Sequence, residues 1–178
     1  MKRHINLYEA IKDVIPTFPF TLVDYCCGDA SFGALFNNHP SVQKIIFVDI
    51  KKVRNLERET NVLQTPFQLF LEYLEFHSPP SNSLVVALHA CGTLTDRVIE
   101  KAVFTKNPFI VMPCCYRRRM DSLKPLSPHT LPVSYSRRDY YDARRLQYAK
   151  ERGYLTQIRL IDRKITPMNH ILIGFPQL

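Results

Sequence analysis

The stretch Leu22-Val23-Asp24-Tyr25-Cys26-Cys27-Gly28-Asp29-Ala30-Ser31-Phe32-Gly33 constrains the fold more than any other part of the chain. A short apolar run enters a turn that holds two glycines and leaves it as the start of a helix. A residue without Cβ lets the backbone turn sharply and come close to a ligand, so Gly28 and Gly33 mark a strand–turn–helix unit. The next apolar run, Ile45 to Val48, ends on Asp49, 21 residues past Gly28. A carboxylate at the tip of a second strand suits the hydroxyl pair of a ribose, because it offers acceptors to two donors at once. The same residue would serve as the cap of a helix that follows the strand. Glycine turns are common, and the rest of the chain has to separate these readings.

Taken in order, Ile5, Leu7, Tyr8, Ile11, Val14 and Ile15 predict a leading amphipathic helix that stops before Pro16. A first strand follows at 21–25, a helix at 31–38 and a second strand at 44–49. The charged segment 51–59 reads as a helix, and a short third strand is expected near 61–64. Pro66 suits the first turn of a helix running to about His77. Leu84 to Leu88 is a continuous apolar run, as in a strand buried on both faces. Thr93-Leu94-Thr95-Asp96 resembles a capped helix start, and that helix runs to about Lys106. A fifth strand at 109–112 ends in Pro113-Cys114-Cys115-Tyr116. A basic, proline-rich loop over 117–137 precedes a helix from about Arg138 to Arg152. Two final strands, Tyr154 to Ile161 and His170 to Phe175, form an antiparallel hairpin. Alternating strands and helices imply an α/β fold, a doubly wound and mostly parallel sheet of seven strands closed by that hairpin. Ligands of such sheets bind beyond the carboxyl ends of the strands, so chemistry belongs to the loops after strands one, four and five. All five cysteines fall there.

A chain of 178 residues fits a single domain, 1–178, with 1–20 as its leading helix. The 46% hydrophobic content excludes a disordered tail. No run of about 18 apolar residues occurs and the N-terminus lacks a signal-peptide core, so a soluble cytoplasmic protein without a membrane partner is expected. Five cysteines, two pairs of them vicinal, argue for reduced thiols. The three loops are neighbours, so Cys26 or Cys27, Cys91 and Cys114 or Cys115 would converge. No Cys-x-x-Cys spacing occurs, and vicinal side chains on a strand end point to opposite sides. Small thiols packed near a ligand are therefore the expected reading, with no metal assigned, and a zinc or iron–sulfur site is the rival one. The net charge is +8, of which residues 117–152 supply +6. Cations interleaved with Tyr135, Tyr140, Tyr141 and Tyr148 suit RNA, with phosphates on the former and bases on the latter. Tyr148 is expected to face the core.

Together these residues resemble the class I S-adenosylmethionine-dependent methyltransferases. The runs Leu88-His89-Ala90-Cys91-Gly92-Thr93-Leu94-Thr95-Asp96 and Met112-Pro113-Cys114-Cys115-Tyr116 are more specific. They are similar to a subgroup with a His-Ala-Cys-Gly-x-x-[Thr/Ser]-Asp motif after strand four and a Pro-Cys-Cys-[Tyr/His] motif after strand five. The methyltransferase domain of the glutathione S-transferase C-terminal domain-containing proteins is one such relative. The resemblance implies S-adenosylmethionine as cofactor, with Asp24, Cys26, Gly28, Asp29 and Gly33 on its methionine side. It implies Asp49 and Ile50 at its ribose, His89 near its reactive end, and Gln64 or Thr65 facing its adenine. It further implies Cys91, Pro113, Cys114, Tyr116, Arg117 and Arg118 around the methyl acceptor. An unperturbed histidine titrates near neutrality, so His89 is the first candidate for a base, Tyr116 for a group that stacks on or bonds the target, and Asp96 for orienting His89 or capping its helix. Ala30 departs from the family pattern, which often has a further glycine there. RNA is the leading acceptor class, and a protein partner for target recognition is an option because the chain is short. A protein or small-molecule methyltransferase and a non-catalytic module that binds S-adenosylmethionine or RNA are the alternatives. A nicotinamide-dependent oxidoreductase is disfavoured by the closing hairpin.

Overall fold

The computed structural model describes residues 2–51, 56–88, 90–116 and 136–177. Its strands are β1 (Phe20–Tyr25), β2 (Val42–Asp49), β3 (Phe67–Leu71), β4 (Ser83–Ala87), β5 (Phe109–Val111), β6 (Tyr154–Leu160) and β7 (His170–Pro176). Its helices are α1 (Lys2–Ile11), α2 (Leu56–Thr60), α3 (Thr93–Phe104) and α4 (Arg137–Lys150). The strands form one sheet in the order β3-β2-β1-β4-β5-β7-β6. The first five are mutually parallel, and β7 runs antiparallel between β5 and β6. This is the doubly wound α/β sheet with a closing hairpin that the strand–helix alternation predicts.

Successive side chains of a strand point to opposite faces, and both faces are covered here. Leu22, Ile45, Phe47, Leu84, Val86 and Ile173 join Leu7 and Ile11 of α1 in one core. The intervening Val23, Ile46, Val48, Val85 and Leu172 join Val98, Ile99 and Ala102 of α3 and Leu146 and Ala149 of α4 in the other. A strand packed on both sides needs an apolar residue at every position, which is why Leu84 to Ala87 shows no alternation. α3 buries Val98, Ile99, Ala102 and Val103 at helical spacing. α4 starts on Ser136, whose side chain accepts a hydrogen bond from the Asp139 N–H. No helix among the described residues is long and apolar enough to cross a membrane.

Three expectations are corrected. The third strand is Phe67–Leu71, not 61–64, and it replaces the helix expected to run from Pro66 to His77. Phe67, Phe70, Leu71 and Leu74 have helical spacing, but pairing with β2 decides the matter. β3 lies at the sheet edge and stays partly exposed, so it lacks the unbroken apolar run that betrays β4. The helix expected over 31–38 is only a single 3-10 turn, Gly33–Phe36. Within 51–59 the described helix is confined to α2. Of the basic loop, residues 117–135 lie outside the described residues, and Arg137 opens α4.

From β1 the chain builds outward to β2 and β3, then crosses to β4 and builds the other way. The crevice at this reversal lies beyond the carboxyl ends of β1 and β4.

Candidate functional site

The turn after β1 is held in an unusual backbone form. Cys26, Gly28 and Ala30 all have left-handed φ, at +55°, +56° and +63°. Only glycine enters that region without steric cost; each of the other two stores about 1 kcal/mol or more. Ala30 thus takes the conformation for which a glycine is the usual choice. A Cβ on Gly28 would meet nothing within 4 Å, so φ alone calls for glycine and the space above it stays open. Gly33 is required by packing, since a Cβ there would lie 2.5 Å from Phe47 Cε1 and 2.9 Å from Asp24 Oδ2. Gly33→Ala is expected to cost about 1–3 kcal/mol through overpacking. Urea unfolding checks this, and an unchanged midpoint would show that Phe47 gives way freely.

Asp24 is the last carboxylate of β1 and is fully buried. Its Oδ2 accepts a hydrogen bond from the Gly33 N–H at 3.1 Å. Burial pushes its carboxyl up to about 8; the charges of Asp49 and Asp29 add to the rise, and the Gly33 N–H opposes it. Burial also raises Asp29, but the hydroxyl and N–H of Ser31 outweigh it and hold that carboxyl below its ordinary range. Asp24, Cys26, Cys27, Gly28 and Asp29 line a cavity of about 330 Å³, closed by His4, Phe32 and Leu88. The volume falls in the range of small-molecule sites, and its carboxylates favour a cation. Burial, then the nearby carboxylates, pushes the Cys26 thiol up to about 12, so it stays protonated at neutral pH. His4 was not foreseen: it comes from α1 and reaches the turn through a 2.8 Å contact between its Nδ1 and Ser31 Oγ. Nothing in the first turn of a leading helix marks such a residue.

Asp49 stands at the tip of β2. One of its oxygens accepts from the Gly28 N–H at 3.0 Å and the other from the Lys51 N–H at 3.2 Å. It therefore braces the glycine turn across 21 residues while remaining partly exposed. Ile50 beside it is 54% exposed and offers an open apolar surface next to the carboxylate. Gln64 and Thr65 lie at the opposite end of the sheet. Their N–H groups donate to Asn37 Oδ1, and Thr65 Oγ1 accepts from the Asn38 N–H, ahead of β2. Neither faces the crevice, because the third strand begins after them and ends at Leu71.

At the ends of β4 and β5 the Met112 N–H donates to the Ala87 carbonyl at 2.9 Å and ties the two exits together. Pro113 is buried, while Cys114, Cys115 and Tyr116 are half-buried. Cys91 is exposed. The sulfurs of Cys91, Cys114 and Cys115 lie within 4.8 Å of one another. The vicinal pair does not point apart as expected: Cys114 Sγ is 3.7 Å from Cys115 Sγ, since the chain has left the strand after Val111 and lost its pleat. Burial, followed by the two neighbouring thiols, raises the Cys114 pKa.

Asp96 is not the N-cap of α3, and its carboxylate is engaged in an ion pair. It is buried, and its Oδ1 accepts from Arg145 Nε at 2.7 Å. The N-cap of α3 is Gly92, and Thr95 Oγ1 donates to the Ala90 carbonyl. Arg145 also donates to Asp142 Oδ1 at 3.2 Å and to the Gly92 carbonyl at 3.4 Å. Asp142 in turn accepts from the Tyr116 hydroxyl at 2.8 Å and holds His170 Nδ1 at 2.8 Å. The Tyr116 hydroxyl is thus committed to Asp142; burial first, and then that carboxylate, raises its pKa. This network corrects a second reading. The basic 117–152 segment reads as a surface for RNA, yet two of its cations, Arg144 and Arg145, are 3% and 1% exposed. Tyr148 is half-buried against the core, as expected, with Arg152 stacked 3.8 Å over its ring. His89, Arg117 and Arg118 lie outside the described residues.

The sequence of this chain matches a family model described as a methyltransferase domain over residues 2–120. It is 33% identical over 98 residues to the glutathione S-transferase C-terminal domain-containing protein of Bos taurus, covering 53% of this chain and 15% of that protein. The chain therefore matches only a small part of the length of such relatives. Among solved structures it is similar to N-methyltransferase NodS from Bradyrhizobium japonicum in complex with S-adenosyl-L-homocysteine. That match has a TM-score of 0.59 at 11% identity, covering 98% of this chain and 85% of that one. The small RNA methyltransferase HEN1 matches with a TM-score of 0.63 at 16% identity, over 99% of this chain and 25% of that one. The fold is that of the S-adenosylmethionine-dependent methyltransferases, and the chain belongs to the methyltransferase domain family.

Proposed function

We propose that this chain transfers a methyl group from S-adenosylmethionine, and that its acceptor is RNA. One observation carries the cofactor: the acidic cavity beyond β1, with Asp24 and Asp29 in its wall and Asp49 bracing its glycine turn, at the point where the strand order reverses. S-adenosylmethionine is cationic at its methionine end and carries a ribose and a purine at the other. The residues present fit both ends. Asp29 supplies negative charge for the cation, Asp24 does so once it gives up its proton, and the bare Cα of Gly28 leaves room beside it. Each Asp49 oxygen keeps a lone pair for a ribose hydroxyl after accepting its backbone N–H. Ile50 adds an apolar flank.

When bound, the cofactor supplies an electrophilic methyl on a sulfonium. The protein's part is to hold an acceptor in line with it and to remove a proton where the acceptor carries one. His89 is assigned the proton. Tyr116, with its hydroxyl held by Asp142, is assigned to positioning, and Pro113, Cys91 and Cys114 to the acceptor's surroundings. RNA as acceptor is supported by the net charge of +8 and its concentration in residues 117–152, Arg117 and Arg118 included. Burial of Arg144 and Arg145 removes two cations from that surface and leaves eight Lys/Arg in the segment. A partner subunit that aids target recognition and a cytoplasmic setting, which cysteines outside any disulfide favour, complete the reading.

Calorimetric titration with S-adenosylmethionine and, separately, with NAD tests the cofactor. Saturable binding of the first alone is expected. Asp49→Ala should weaken it about tenfold to a hundredfold, the worth of charge-assisted hydrogen bonds to the ribose. Equal binding by Asp49→Ala would remove the ribose assignment. Labelled methyl transfer to RNA pools, set against protein and small-molecule pools, tests the acceptor.

A further inference from the structure

We propose that Cys91, Cys114 and Cys115 form a three-sulfur zinc site at the ends of β4 and β5. The three sulfurs lie within 4.8 Å of one another. A tetrahedral zinc with sulfurs at about 2.3 Å separates any two of them by about 3.8 Å. Cys114 and Cys115 already stand 3.7 Å apart. Bringing the two edges to Cys91 to that length requires a movement of about 1 Å by Cys91, which is exposed and can adjust. The backbone is arranged in advance. The Met112 N–H to Ala87 carbonyl bond couples the two strand exits, and the Cys91 carbonyl accepts the Leu94 N–H in the turn that starts α3. Two sequence-distant loops thus present soft donors to one point, which a lone cysteine or a vicinal pair does not do.

Soft thiolates select zinc or copper(I) over magnesium or calcium, and zinc is the one that needs no redox partner. Each thiol gives its proton to solvent on binding. Three protein sulfurs leave a tetrahedral ion one position for water or for a donor atom of the acceptor, the pattern of catalytic rather than structural zinc. The site lies on the same side of the sheet as the cavity beyond β1, since β1, β4 and β5 are parallel neighbours and all these loops leave their carboxyl ends. A metal here would draw the two loops together. The site stands apart from the cofactor reading, and its test reads metal binding alone.

The full chain, purified reduced and stripped of metal, is titrated with Co²⁺ as a spectroscopic stand-in for zinc, and then with Zn²⁺ in competition. One equivalent with sulfur-to-cobalt charge-transfer absorption, displaced by one equivalent of zinc, is expected. Cys91→Ser, Cys114→Ser and Cys115→Ser should each weaken binding by more than the roughly 10- to 100-fold that loss of an outer-shell partner costs. Cys26→Ser should bind cobalt as the wild type does. Because a variant can fail to fold, alkylation of the wild-type protein is followed in parallel by mass spectrometry. Zinc should protect Cys91, Cys114 and Cys115 together. Absence of the charge-transfer band, affinity unchanged by all three substitutions, or alkylation indifferent to zinc would each overturn the site.

Discussion

Arg145→Met is expected to destabilise the protein by about 3–5 kcal/mol, the cost of breaking a buried ion pair from one side. The guanidinium is 1% exposed and lies between two carboxylates that are themselves buried, Asp96 at 2.7 Å and Asp142 at 3.2 Å. Methionine keeps much of the side chain's apolar volume, so the loss comes from two carboxylates left in a medium that solvates them poorly. A domain of this size has only about 5–15 kcal/mol in all, so the variant should unfold at much lower urea. Adding Asp96→Asn and Asp142→Asn to Arg145→Met should recover part of the loss, because the neutral amides need no counter-charge. A loss below about 1 kcal/mol, the value of an exposed pair, would mean that water reaches these groups. The effect reaches the site through Tyr116 and Gly92, which the same network holds. A methyl-transfer rate that falls in Arg145→Met well below its midpoint would show that coupling.

Affinity for S-adenosylmethionine is expected to rise with pH up to about 8. Asp24 has a carboxyl raised from 3.8 to about 8 by burial, so at neutral pH the free protein holds a proton there. A cation in the cavity that Asp24 lines favours the ionised form, and binding must then expel the proton. The gain is at most about tenfold in affinity per pH unit below 8, and none above it. Stability moves the opposite way. Across the window from 3.8 to about 8 the folded protein binds a proton that the unfolded chain has released, so stability falls as pH rises through it. Asp24→Asn removes both slopes. It should be more stable than the wild type at pH 8 and bind the cofactor with a flat pH profile. Calorimetry in two buffers of different ionisation enthalpy measures the released proton directly. No release at pH 7 would show that Asp24 is already ionised or that the cation lies elsewhere.

Much of this molecule was legible in the residues. The run Leu84 to Ala87 has no polar position because β4 is covered on both faces, and any such run can be read that way. Gly28 and Gly33 announced the turn, and Asp49 announced the strand tip, since each rests on a local need for missing Cβ or for a charge at a strand end. β3 escaped because an edge strand is specified by its partner, and the spacing of Phe67, Phe70 and Leu71 was equally good for a helix. Asp96 and Arg145 escaped for a related reason. They lie 49 residues apart, and neither has a pattern of its own that foretells a buried pair. A charged residue reads as surface until something far along the chain neutralises it. Likewise the meeting of Cys91 with Cys114 and Cys115 depends on β4 and β5 lying side by side and on the chain leaving its pleat after Val111. The alternation of strands and helices, the glycine turn and the acidic strand tip follow from local sterics and periodicity, and so can be read from the order of residues. Which charges are paired, which cysteines converge and which edge strand forms depend on groups that are distant in the chain and adjacent only once it has folded.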